Sequence, residues 1–344
     1  MGLHRIERGN LRMAKRIKLF KQASWDNVNP ESKTLLDDYV LELKSTGKSE
    51  KTIYQYVADI KGFLCWIEEN QNNVYILDLK KRVFRRFFLV LMDNGTSSAR
   101  INRLQSSIRN LLEFATQDED EYEYDVNAMR AIKGLAKSSV RDIVFLSNEQ
   151  VDILINYLMD HKQYEKALYV SLSYDSAGRR NEVSQVLKEG FVDSNQTNVV
   201  RGKRGKTFRL IYFNRTREIA KKYMEQRGED DIPSLWVIGR GKTLRPASYQ
   251  TLYNWVMYFR KVLKAETGED ININPHSFRH SALENYGNGT HHVLEEMGKS
   301  ELPLEVLKII AHHTSIETTQ GYLKNHDDDI LEDTFGIKIK NEAE

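Results

Sequence analysis

The sequence predicts a mainly α-helical chain with a small antiparallel β-sheet, an α+β protein in two domains. Apolar residues recur with a period of about 3.6 through much of the first 135 residues, the signature of helices with one buried face. Two β-type runs, Thr197 to Val200 and Phe208 to Phe213, flank the glycine-rich turn Arg201-Gly202-Lys203-Arg204-Gly205-Lys206, as a hairpin requires. A length of 344 residues is more than one hydrophobic core usually organises.

Residues 1–30 read as a basic arm. The first 24 hold Arg5, Arg8, Arg12, Lys15, Arg16, Lys18 and Lys21 against Glu7 alone. Such a segment either lies along a phosphate backbone or stays a solvated leader. Residues 31–135 read as a helical domain. Lys51 to Glu69 carries Ile53, Tyr56, Val57, Ile60, Phe63, Leu64 and Ile67 on one stripe, with Ser49 as N-cap. Two more helices are expected within Ile76 to Asn94 and Ser97 to Ala115. Cys65 lies among the apolar residues of the first stripe and is expected to be an inert core thiol. Basic residues gather at Lys80, Lys81, Arg82, Arg85 and Arg86, and again at Arg100, Arg103 and Arg109. A solvated helix face explains them as readily as a nucleic-acid surface does. The acidic run Asp118 to Asp125 would be repelled by DNA and belongs on an outer loop.

Residues 136–145 read as an exposed linker, and a second domain is expected over 146–335 with a tail at 336–344. Ser147 and Gln150 form a capping box, followed by helices over 148–159 and 163–174. Helices over 215–228 and 246–266 read as scaffold. The richest stretch is Asn274 to Tyr322. His276 and Arg279 stand three apart, on one face if helical, with Pro275 suited to the first turn. Thr314 and Glu317 form another capping box, which starts a helix carrying Tyr322. Cations and imidazoles converging on one tyrosine suit chemistry at a phosphate.

Composition excludes several classes. Net charge is +2, so overall charge does not announce a nucleic-acid binder. One cysteine allows no intramolecular disulfide and no cysteine-based zinc site, and a reducing compartment is the default. No apolar run approaches the ~20 residues that span a bilayer. The pairs His291-His292 and His312-His313 raise the question of a metal site. Adjacent histidines do not share a helix face, and no third ligand stands at useful spacing, so no metal is expected.

The order His276-x-x-Arg279, His313, Tyr322 resembles the carboxy-terminal signature of the tyrosine recombinases, the phage integrase family. Their usual ending is close to Leu-Gly-His-Ser-Ser-x-x-Thr-Thr-x-x-Tyr. This chain reads Ala311-His312-His313-Thr314-Ser315-Ile316-Glu317-Thr318-Thr319-Gln320-Gly321-Tyr322, with His312 in the glycine's place. Arg279 to His313 is also longer than in compact members, the surplus falling in Glu284 to Ser300. Gly178-Arg179-Arg180-Asn181-Glu182 resembles the turn that carries the family's first catalytic arginine. Arg179 keeps the spacing to the supporting Glu182, and Arg180 is the alternative by adjacency. In the hairpin, Lys203 matches the catalytic lysine, with Lys206 as runner-up. Ser49 to Thr52 with Tyr56, and Ser98 to Arg103, resemble helices of the core-binding domain; by that likeness Thr52, Asn102, Arg103 and Arg109 are expected DNA contacts, and Lys206 on the hairpin is a further one.

The resemblance implies a helical core-binding domain and a catalytic domain that close as a C-shaped clamp around double-stranded DNA. It implies a homo-tetramer on two duplexes, DNA-bending accessory proteins as possible helpers, and a cytoplasmic, nucleoid-associated location with no membrane. The chemistry is a tyrosine attacking a phosphodiester. Two arginines clamp the extra transition-state charge, a lysine protonates the leaving 5′ oxygen, and His276 or His313 deals with the tyrosine proton, since a free phenol has a pKa of ~10. The bond energy is kept as a 3′-phosphotyrosine, so no cofactor is required. A type IB topoisomerase-like relaxation and a non-catalytic DNA-binding accessory role are the rival readings.

Overall fold

The structure is a computed structural model that describes residues 17–118, 120–136, 143–191, 195–313 and 319. It divides into two compact units, Met1–Asp142 and Ile143–Glu344. Most of the basic arm and of the expected linker, the Thr314–Glu317 capping box, Tyr322 and the tail lie outside the described residues.

The first unit is helical: α1 (Gln22–Asn27), α2 (Pro30–Ser45), α3 (Glu50–Asn70), α4 (Lys81–Asp93) and α5 (Ser98–Gln117). The longer helices start at side-chain caps. Asn29 accepts from the Ser32 N–H with Pro30 in the first turn, Ser49 from Thr52, and Ser97 from Arg100. Each cap satisfies an otherwise orphaned donor, typically worth ~1 kcal/mol. The apolar stripes meet in one core, where Ile60, Phe63, Phe84, Phe87, Ile101, Leu104 and Ile108 are fully buried. Cys65 is buried there too, and burial pushes its thiol pKa up, which keeps it protonated and unreactive. The acidic stretch is split by side. Tyr122 turns inward and donates to Asp38 at 2.5 Å, while Asp120, Glu121, Glu123 and Asp125 stay exposed.

The second unit opens with α6 (Asn148–Asp160), α7 (Tyr164–Asp175) and the single turn α8 (Arg180–Val183). The hairpin β1 (Gln196–Arg201) and β2 (Thr207–Ile211) follows, then α9 (Asn214–Arg227), β3 (Val237–Ile238), β4 (Arg245–Pro246) and α10 (Tyr249–Thr267). Then come α11 (Ser277–Gly287), α12 (His292–Glu296) and α13 (Leu304–Ile310). The capping box of Ser147 and Gln150 starts α6. From Ala167 to Asp175 every residue of α7 is buried, as a helix enclosed by its neighbours must be; α6, α9 and α11 pack on it. Tyr169 meets Trp236, Trp255 and Phe278 edge to face. Among the described residues the β-structure is two separate antiparallel pairs: β1–β2, with Val200 opposite Phe208, and β3–β4, with Val237 opposite Pro246.

One expectation shifts. The helix of His276 and Arg279 begins at Ser277, so Pro275 precedes it. The reason is local pairing of side chain to backbone: Asn274 Oδ1 accepts from the His276 N–H at 2.9 Å, and Ser277 Oγ accepts from the Asn274 N–H at 3.0 Å. Among the described residues no helix is long and apolar enough to cross a membrane.

Candidate active site

Arg179 stands where α7 gives way to α8. Ala177 adopts a positive φ of 49°, and a Cβ on Gly178 would come within 2.9 Å of both Ser176 Oγ and Val183 Cγ2. The turn is therefore too tight for any other residue at 178. Glu182 Oε2 accepts from the Arg179 N–H at 2.8 Å, and its Oε1 from Arg179 Nη1 at 2.9 Å. One buried carboxylate thus fixes both the backbone and the guanidinium of Arg179. Arg180 points elsewhere, its guanidinium 3.7 Å from the centre of the Tyr249 ring.

Arg279 is fully buried and joins distant parts of the unit. Nη1 donates to the Ala177 carbonyl at 2.6 Å, and Nη2 to the Ala311 carbonyl at 2.6 Å. Nη2 also lies 2.6 Å from His313 Nε2. A guanidinium can only donate, so Nε2 supplies the lone pair. The proton then sits on Nδ1, 3.0 Å from Thr319 Oγ1. Burial, then Arg279 and Arg179, pull the His313 pKa down to about 3, so the ring is neutral at physiological pH.

His276 occupies the position just before α11, with its side chain exposed to solvent. Its pKa is also lowered, by lost hydration and then by Arg279, Arg179 and Arg180, which places it near the same cations. Lys203 and Lys206 are exposed on the hairpin turn, closed by a hydrogen bond from Gly202 N–H to the Lys206 carbonyl at 2.7 Å. The charge of Lys206 is felt at both His312 and His313. Arg179, Arg279, His276, His313 and a hairpin lysine therefore share one electrostatic neighbourhood; Tyr322 lies outside the described residues.

The profile of the phage integrase family matches residues 144–329, and that of the phage integrase N-terminal SAM-like domain matches residues 36–119. The chain belongs to the phage integrase family. Among curated relatives, the SPbeta prophage-derived recombinase-like protein YomM of Bacillus subtilis is 25% identical over 339 residues, covering 94% of this chain and 95% of that one. Tyrosine recombinase XerD of Oceanobacillus iheyensis is 24% identical over 291 residues, covering 80% and 88%. A lambda integrase fragment crystallised as a dimer on a COC′ core site superposes with a TM-score of 0.63 at 17% identity, over 90% of this chain and 99% of that one. The Tn1549 transposon integrase bound to circular-intermediate DNA gives 0.59 at 14% identity, over 85% and 95%. At these identities the two structures speak for the fold. This phage integrase family member is a tyrosine-type site-specific DNA recombinase, and the topoisomerase-like and accessory readings are set aside.

The longer segment between Arg279 and His313 folds back onto the arginine turn. Here an expectation is corrected: a third ligand-type group does meet the paired histidines, because Asp175 comes within 4.8 Å of His291 and His292. Nothing in the spacing announced it, since Asp175 is more than a hundred residues away in sequence. Its carboxylate is engaged by protein groups. Oδ1 lies 2.9 Å from His292 Nε2, and Oδ2 accepts from Thr216 Oγ1 at 2.6 Å and the Phe213 N–H at 3.1 Å. Burial alone would raise its pKa, but His292 and Arg215 hold it below the ordinary carboxylate range. The cluster pins the end of α7, immediately before the turn that presents Arg179.

In the first unit the residues expected to meet DNA have other partners. Asn102 spends its amide on Leu135, donating to its carbonyl at 2.9 Å and accepting from its N–H at 2.7 Å. Arg109 Nη2 donates to the Ile132 carbonyl at 2.8 Å. Arg103 forms a bidentate pair with buried Asp59, both contacts 2.9 Å. Thr52 pairs with Ser49 at the start of α3. A polar residue on a predicted surface helix does not reveal from sequence whether a carbonyl or solvent faces it.

Proposed function

We propose that Tyr322 is the nucleophile of this recombinase. Its oxygen attacks a DNA phosphorus, and the bond to phosphorus forms as the bond to the 5′ oxygen breaks. A hairpin lysine, Lys203 or Lys206, gives the leaving oxygen a proton. Histidine takes the proton of the tyrosine. His313 Nε2 already accepts from Arg279, so His276 is the better acceptor of the two. Arg179, held by Glu182, and Arg279 spread the transition-state charge over charged donors. A 5′ hydroxyl from another strand reverses the step and restores the lysine proton. We take the DNA to be duplex and the acting form to be four copies on two duplexes, because a lambda integrase relative was crystallised as a tetramer on a Holliday junction.

The observation that carries this reading is the closure of Arg279 onto both Ala177 and His313. It brings the Arg179 turn and the carboxy-terminal motif to one point. Thr319, hydrogen-bonded to His313, stands three residues before Tyr322 in the sequence.

Nicked suicide duplexes test the reading. The native chain should give a covalent protein–DNA band on a denaturing gel with particular sequences only. Tyr322→Phe should give none while binding the same duplex. A band that survives in Tyr322→Phe refutes the assignment.

A further inference from the structure

His312 stands where the family's motif has glycine, and its backbone makes the departure costly. Its φ is +53°, in the left-handed region that glycine enters freely and other residues enter against a steric penalty. Its side chain has a definite partner. The imidazole stacks on the Phe208 ring, centroids 3.7 Å apart and planes 21° apart. Phe208 belongs to β2 and pairs across the hairpin with Val200. The same ring crowds Gly202, where an added Cβ would lie 2.6 Å from Phe208 Cε1 and 3.2 Å from Glu182 Oε1. The contacts therefore run from the Lys203 side of the hairpin, through Phe208, to His312 and so to His313 and Arg279. The turn end of the hairpin is also held from below, by the Gln185 amide on the Arg201 backbone. His312 is the contact that comes from the catalytic loop.

We infer that His312 is a positioning residue that docks the β1–β2 hairpin, and with it the lysine acid, onto the Arg279–His313 centre. The inference rests on the proposed role of a hairpin lysine as proton donor. The ring is used as a flat surface: burial, then the nearby arginines and Lys206 against an opposing pull from Glu182, bring its pKa down to about 4, so it stacks uncharged. Neutral aromatic pairs of this kind hold two loops in register without a hydrogen bond.

The test compares two substrates in single-turnover cleavage. One is the suicide duplex that the native chain traps best. The other has a sulfur in place of the bridging 5′ oxygen at the same bond, whose thiolate leaves without a proton. His312→Gly relieves the backbone and removes the ring. It should bind the duplex normally, cleave the oxygen substrate about tenfold more slowly, and cleave the sulfur substrate at the native rate. His312→Phe should stay within about threefold of native on both. Phe208→Ala should match His312→Gly, and the double variant should be no worse than either.

Native-rate cleavage of the oxygen substrate by His312→Gly overturns the inference. So does a defect that persists with sulfur, or one equally severe in His312→Phe. Lys203→Ala and Lys206→Ala separate the two layers. If sulfur rescues one of them but not His312→Gly, the lysine's role stands and the docking role falls. If sulfur rescues neither, the lysine acid itself is refuted and the inference with it.

Discussion

Arg279→Lys is the most informative single change, because it separates a phosphate clamp from a structural hub. The guanidinium is fully buried and donates in two directions, to the Ala177 and Ala311 carbonyls, each at 2.6 Å. Lysine brings one point-like ammonium that cannot span both acceptors. One or two contacts are lost, depending on which carbonyl the ammonium keeps, and a hydrogen bond to a charged donor contributes ~1.5–3 kcal/mol. The second unit should therefore lose roughly 1.5–6 kcal/mol. For a unit of ~200 residues each kcal/mol moves the midpoint by ~2–4 °C, giving a fall of roughly 3–24 °C. Differential scanning calorimetry of the full chain reads this directly, and cleavage should be lost as well. A variant that loses cleavage while its second-unit transition stays within ~2 °C of native refutes the hub and leaves Arg279 a clamp alone.

Burial brings the His291 pKa to about 3, between the rings of Tyr174 and Tyr286. The folded value lies below the ordinary ~6.5, so stability is full above that pH and falls as the unfolded chain takes up the proton, by up to ~1.4 kcal/mol per pH unit. His291→Phe keeps the stack and should flatten the decline between pH 6.5 and 4.5 in urea titrations; an unchanged slope contradicts this. Arg109→Met should destabilise the first unit by ~1–3 kcal/mol yet leave the salt dependence of DNA affinity unchanged. A slope that drops by ~0.9 would show Arg109 to be a phosphate contact. Of Lys203→Ala and Lys206→Ala, the variant that loses cleavage by orders of magnitude identifies the acid; two near-native rates would remove the lysine from the mechanism.

The helices of the first unit were legible because their signals are local: Ser49 and Ser97 announce starts, and the apolar stripes announce the buried face. The partnership of Arg279 with His313 was legible only as a motif. That Arg279 would be buried, with backbone carbonyls as its acceptors, was not, because the acceptors at Ala177 and Ala311 are set by tertiary closure. Asp175 carried no signal, being one acid at the end of an all-buried helix. Asn274 and Ser277 did carry one. Their spacing allows reciprocal capping, and reading it would have moved the helix start past Pro275.

Lost hydration first, and the charges of the site second, keep its histidines neutral before DNA arrives. Arg179, Arg279 and Lys206 outnumber Glu182, and both His276 and His313 are depressed first by lost hydration and then by the arginines. A phosphodiester brings one negative charge. It opposes the arginine contribution but cannot restore lost water. His313, buried and already accepting from Arg279, has little room to respond. His276 is exposed at the start of α11, where a phosphate can reach its ring. DNA binding should thus raise the proton affinity of His276 more than that of His313 when a phosphate occupies the site.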